Sequence, residues 1–203
     1  RGISRLEQHL AEVRKCRRCP KMLGPVVTPR PVMTKVYLVG QAPGPHEGAL
    51  GRPFAWTAGK TLFRWLEGIG ADEEVVRSRA FISAVCRCFP GKTPAGGDRV
   101  PGPAEIEACA GWMRLEFELL SPELIIAVGR VAIERFLPSA PLAELVGKRH
   151  RVVVFGHACA VIPLPHPSGA STWFKREPGK SLLAQALRLV EQHPAWRRLR
   201  AGD

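Results

Sequence analysis

Two cysteine doublets and a lone cysteine constrain this chain more than anything else in it. The doublets are Cys16-Arg17-Arg18-Cys19 and Cys86-Arg87-Cys88, and Cys109 stands alone. Thiolates two or three residues apart can bite one metal centre, and a distant pair closes it to four ligands. Any fold must then hold the N-terminal segment against mid-chain elements. C-x-x-C spacing suits zinc or an iron–sulfur cluster, and spacing alone leaves both open. Cys88 and Cys109 complete the set if a sheet edge and the helix after it fold back. Alternation along a strand would point residues 86 and 88 the same way. One of five thiols is therefore spare, and position within the strand marks Cys86 as the core residue. Cys159, between Ala158 and Ala160, reads as a small buried apolar side chain.

Charge narrows the partners. The chain has 30 Lys and Arg against 18 Asp and Glu, a net charge of +12, which favours polyanions. Its 203 residues, 45% hydrophobic, suffice for one domain with a proper core, read as a single unit over 1–203 with an N-terminal metal-binding segment. No apolar run approaches the ~20 residues that span a bilayer. Arg1-Gly2-Ile3-Ser4-Arg5 lacks the apolar core of a signal peptide. The expectation is a cytoplasmic protein, a monomer not bound to membrane, whose thiols stay reduced.

Periodicity predicts α/β architecture. Ile3, Leu6, Leu10 and Val13 lie at helical spacing, and Ser4 with Glu7 forms an S-x-x-E capping box at the helix start. Residues 35–40 read as a buried strand stopped by glycine, 81–85 as a second and 123–129 as a third, with further strands at 151–155 and 160–163. Helices are expected around 59–68, 103–120, 131–136 and 180–191. Such alternation builds a mainly parallel sheet, and ligands sit at the carboxyl ends of its strands. The loops after Gly40, Val85 and Pro163 then share one rim.

Two of those loops carry chemistry of their own. Residues 40–54 are rich in glycine and proline, which fix a backbone whose amides can point at a ligand. Phe54, after Pro53, offers a flat face for stacking a base. His166 is clamped between Pro165 and Pro167, so it has few conformers. It can donate a hydrogen bond to a developing anion at low conformational cost. Arg87, Lys92, Arg99, Lys148, Arg149, Arg151, Lys175 and Arg176 flank the presumed rim, placed to meet phosphates.

On these residues the chain resembles the uracil-DNA glycosylase superfamily. The matching motifs are Gly40-Gln41-Ala42-Pro43-Gly44, Gly51-Arg52-Pro53-Phe54, a strand ending in Cys88, and His166-Pro167-Ser168. With Cys16, Cys19, Cys88 and Cys109 the resemblance is to the iron–sulfur branch, the family-four and family-five enzymes, from about residue 10 to 190. It implies a 4Fe–4S cluster on those four cysteines. It also implies a three-layer α/β/α sandwich with a mainly parallel four-stranded sheet. The implied activity is that of a monofunctional DNA repair glycosylase. It would remove uracil, or other deaminated bases such as hypoxanthine and xanthine, and leave an abasic site.

By the same resemblance Gln41, His46 and His166 are catalytic, and Gly40, Ala42, Phe54, Ala84 and Ser168 contact the substrate. Gln41 would sit over sugar and base, and Phe54 would stack on the extruded base. His166 would donate to the carbonyl oxygen beside the broken bond, and residues 168–173 would enter the duplex. A glycosylase must hold its base outside the stack, which such a pocket allows.

Several positions depart from the pattern. Ala42 stands where better-known members carry an Asp that orients the attacking water. Gln41 replaces the Glu of family four, and Ala84 the Asn that reads uracil there. Family five tolerates Ala at both sites and has a His where His46 stands, so the chain leans that way, although Thr57 and Thr93 replace an acid and an Asn of some members. Water is accordingly assigned to His46, Gln41 or backbone, with leaving-group stabilisation supplying most of the rate. Two other expectations compete: a nucleic-acid binder of the same fold that has lost catalysis and keeps a structural cluster, and a zinc-stapled nucleic-acid binder.

Overall fold

A computed structural model describes residues 2–203. Strands β1 (Val36–Gly40), β2 (Phe81–Ala84), β3 (Leu124–Val128), β4 (His150–Val154) and β5 (His157–Leu164) form one sheet in the order β2-β1-β3-β5-β4. β1 is parallel to β2 and β3, and β3 is parallel to β5. These are the four parallel strands expected. The sheet has a fifth strand because β4 runs antiparallel along β5, with Val154 opposite His157. Phe155 and Gly156 make the turn, both at positive φ (49° and 83°), the backbone twist a two-residue hairpin needs.

Both faces of the sheet are buried, as parallel strands require. Val36, Leu38, Ile82, Ile126 and Ile162 face one core, closed by Leu62 and Leu66 of α3 (Thr57–Glu67), Val76 of α4 (Glu73–Arg79), Leu183 and Val190 of α8 (Gly179–Gln192) and Trp196 of α9 (Pro194–Ala201). Tyr37, Val39, Phe81, Ile125 and Val161 face the other, closed by Leu6 and Leu10 of α1 (Gly2–Arg14), Met113 and Phe117 of α5 (Pro103–Leu120) and Ile133 of α6 (Arg130–Ile133). Helix, sheet and helix make the three layers. The single-turn helices α2 (Glu47–Leu50) and α7 (Leu142–Leu145), with a short 3-10 helix at Trp173–Lys175, complete the order. Among the described residues no helix is long and apolar enough to cross a membrane.

Three local expectations are corrected. α1 begins at Gly2, so Ser4 lies inside its first turn and does not cap it. The buried face is Leu6, His9, Leu10 and Val13, while Ile3 at the helix end is 40% exposed. β2 ends at Ala84, short of Cys88: Val85 N–H still donates to Gly40 and Cys86 N–H to Gln41, but the chain bends over 85–88, where Arg87 Nε turns back to the Ala84 carbonyl. Residues 86 and 88 therefore share no strand face. α4 and α9 were not anticipated, although Asp72 caps α4 by accepting from the Val75 amide at 2.9 Å, and Pro194 opens α9.

Candidate active site and cysteine cavity

The sheet order reverses at β1, with β2 on one side and β3 on the other, and such a switch point opens a crevice at the carboxyl ends. A cavity of about 510 Å³ lies there. Gly40, Gln41, Ala42 and Phe54 line it from the loop after β1, Ala84 from the end of β2, and His166 and Ser168 from the loop after β5. Local chemistry brought each of these loops to the rim, and the parallel sheet joined them.

Phe54 is built into this wall at some cost. Its φ is 52°, a left-handed conformation that bulky residues rarely adopt. The Arg77 guanidinium holds it there, donating to the carbonyls of Pro53 at 2.8 Å and Phe54 at 3.0 Å. Two glycines make room. A Cβ on Gly40 would lie 2.6 Å from the Phe54 ring, and one on Gly59 would lie 1.8 Å from the Phe54 carbonyl oxygen. The ring thus rests on the last residue of β1 and is half-buried.

His166 stands at the mouth, packed over Gly129. The Ser168 amide donates to its Nδ1 at 3.2 Å, so Nδ1 carries the lone pair and Nε2 the proton. Its ring is exposed at the mouth, yet the surrounding cleft walls desolvate it enough to lower its pKa, outweighing the pull of Asp98 in the other direction. The ring is therefore neutral near pH 7, with one N–H left to donate.

Two carboxylates escaped the sequence reading. Glu47 lines the cavity, and its pKa is pushed up to about 7 by burial, against backbone hydrogen bonds from Phe54 and Gly44. Asp98 comes from a hairpin in which Lys92 pairs with Asp98, the Thr93 amide donates to Gly97 and the Arg99 amide to Gly91. A Cβ on Gly44 would lie 3.8 Å from Asp98 Oδ2 and 3.9 Å from Glu47 Oε1, so both acids face the same turn. An acid inside a Gly/Pro-rich loop was the one signal for each; that Asp98 reaches this pocket was decided by the hairpin.

Other residues land elsewhere. His46 does not line the cavity: it is exposed and stacks on Trp56. Trp173 packs against the core rather than standing free, leaving Ser168 and Ala170 at the mouth. Arg149 and Arg151 line a separate cavity with Glu123 and His193, at the amino end of β3, away from the rim. Arg99 is clamped in a bidentate pair with Glu105 at 2.7 and 2.8 Å. Arg87 is buried, pairing with Glu116 at 2.6 and 2.9 Å while its Nε donates to the Ala84 carbonyl at 2.8 Å. Burial alone would raise the Glu116 carboxyl. Arg87, with hydrogen bonds from His9 and Tyr37, holds it down at about 2.

Behind Arg87 lies a second cavity, of about 330 Å³, lined by Cys16, Cys19, Cys88 and Cys109. Among the described residues no three His, Cys, Asp or Glu side chains gather tightly enough for a single metal ion. The four thiols stand around the walls of that space, a donor set that zinc and iron–sulfur clusters both use. Trp112 lines the same cavity, and its buried indole N–H has no hydrogen-bond partner, a donor that a cluster's sulfur would satisfy. Cys86 is fully buried outside that lining, close enough to Cys109 for the two thiols to share a proton's pull, which lowers the Cys109 pKa. Cys159 is buried in the core beneath α5 and α6.

The family profile of the Uracil DNA glycosylase superfamily matches residues 29–190. The Type-4 uracil-DNA glycosylase of Archaeoglobus fulgidus is 31% identical over 139 residues, which are 66% of this chain and 65% of that protein. The Type-4 enzyme of Thermotoga maritima is 31% identical over 159 residues, 77% of this chain and 78% of that one. The Type-5 uracil-DNA glycosylase of Thermus thermophilus is 33% identical over 115 residues, 51% of this chain and 49% of that one.

Proposed function

The chain belongs to the uracil-DNA glycosylase superfamily, and from that premise we propose that it hydrolyses the N-glycosidic bond of uracil in DNA and leaves an abasic site. One observation carries the mechanism: the Ser168 amide occupies Nδ1 of His166, which leaves Nε2–H at the cavity mouth as donor. As the C–N bond breaks, its electron pair goes to the base and positive charge builds on the sugar. His166 then donates to the base oxygen that gains charge, a bond stronger in the transition state than before it. Phe54 stacks on the extruded base, with Gly40 and Ala42 against its edge.

Water attacks the sugar cation from the side of Gln41. With Ala42 unable to orient it and His46 outside the cavity, the negative charge near that cation falls to Glu47 and Asp98. Ala84 presents only a methyl group where a reading side chain would stand, so the pocket also admits hypoxanthine and xanthine. Cys16, Cys19, Cys88 and Cys109 are the residues that would hold a 4Fe–4S cluster. When bound it would cross-link the N-terminal segment to the loop behind the pocket and take no part in bond cleavage. The pocket is complete within one chain, in keeping with a monomer on DNA.

The test is excision from oligonucleotides carrying single uracil, hypoxanthine or xanthine residues, read by cleavage of abasic sites. Uracil should be removed, and His166→Ala should slow removal by about 10²–10³-fold. Parental rates in that variant would refute the donor role. A strict preference for uracil would refute the wider pocket, and intact strands throughout would leave only binding.

A further inference from the structure

We infer that His46 and Trp56 form a stacking shelf for the unpaired base next to the extruded nucleotide, giving the protein a hold on single-stranded DNA. The inference rests on the reading of the chain as a DNA glycosylase. The two rings lie 4.2 Å apart with 30° between their planes. Trp56 is 46% exposed and His46 is exposed too, so the pair presents apolar area to water that the cores could have buried.

Position ties the pair to the cavity. Gly44 and Glu47 flank His46 and line the wall; Phe54 and Ala58 flank Trp56 and do the same. The rings therefore stand on the outer side of the loop that holds the base. That loop is rigid: Arg77 clamps Pro53 and Phe54, the Leu50 amide bonds to His46 and the Lys60 amide to Trp56. A preformed aromatic face loses little conformational freedom on binding. Arg52 and Lys60, both exposed and each four residues from Trp56 along the chain, supply positive charge for the backbone of the same strand.

Every base has a flat face, so such a shelf is indifferent to sequence. In a duplex the neighbouring base is already stacked and paired, and the shelf adds little. Single strands are where it acts.

The experiment compares the parent with Trp56→Ala, Trp56→Phe and His46→Ala. Two readings are taken: uracil excision kinetics on single- and double-stranded oligonucleotides, and anisotropy binding of a uracil-free single-stranded oligothymidylate. Trp56→Ala should raise KM and Kd for the single strand by about tenfold or more, with kcat within about threefold and duplex KM nearly unchanged. Trp56→Phe should recover most of the loss, and His46→Ala should lose less than Trp56→Ala. Unchanged single-strand KM and Kd, or equal losses on both substrates, would overturn the shelf. If the parent binds oligothymidylate through Trp56 yet excises no uracil, the glycosylase reading falls and the shelf stands.

Discussion

Glu47 couples chemistry to pH through a single carboxyl. With its pKa raised by burial to about 7, it is neutral below that pH and ionised above it. Only the ionised form offers negative charge to a sugar cation, so excision should climb as pH rises through about 7. Glu47→Gln should flatten that limb in a pH–rate profile; a parental limb in the variant would remove Glu47 from the mechanism. Stability runs the opposite way. The folded protein holds this proton over a range where the unfolded chain, with an ordinary glutamate pKa of 4.5, has released it. Stability therefore falls between roughly pH 4.5 and 7, and Glu47→Gln should melt higher than the parent at pH 8 but not at pH 4.

At the scale of elements, the segment after β2 does two jobs. Arg87 reaches inward to Glu116 of α5, while its backbone separates the buried Cys86 from Cys88 at the cysteine cavity. Its Nε fixes the Ala84 carbonyl, so one side chain sets the end of β2 on the pocket side and the thiols on the other. Tyr37 of β1, Ser83 of β2 and His9 of α1 complete the network, which joins two strands and two helices around one carboxylate. Glu116→Ala would strand a buried guanidinium and should cost about 3–5 kcal/mol in urea denaturation at pH 7. The Glu116 pKa is depressed, so its contribution is full above about pH 4.5 and is lost as pH falls toward 2. The gap between variant and parent should close over that interval.

For the whole molecule, a cluster on the four cysteines would tie residues 16–19, just beyond α1, to the β2–α5 connection and to α5 itself. Metal-loaded protein should be brown, as an iron–sulfur cluster is and a zinc site is not. Cys109→Ser should lose that absorbance and melt at lower temperature. Proteolysis should then open the N-terminal segment first, whereas a colourless parent would point to zinc. The same connection carries the hairpin that delivers Asp98 to the pocket, so loss of the metal should loosen the active site as well.

The motif loops were legible in the sequence because their chemistry is local. Glycines at 40 and 44, prolines at 43 and 53, and the prolines around His166 dictate backbone within a few residues, and the buried strands announce themselves as short apolar runs. From those alone the parallel sheet and its rim follow, with Gln41, Phe54, Ala84, His166 and Ser168 upon it. What depended on distant partners was not legible. Arg87 reads as a surface cation until α5 brings Glu116 beneath it. His46 leaves the pocket because Trp56 offers it a ring, and Asp98 enters because a hairpin folds over the cleft. Side-chain destinations of this kind are decided by contacts that reach beyond the few residues local backbone rules govern, and only the packed fold supplies them.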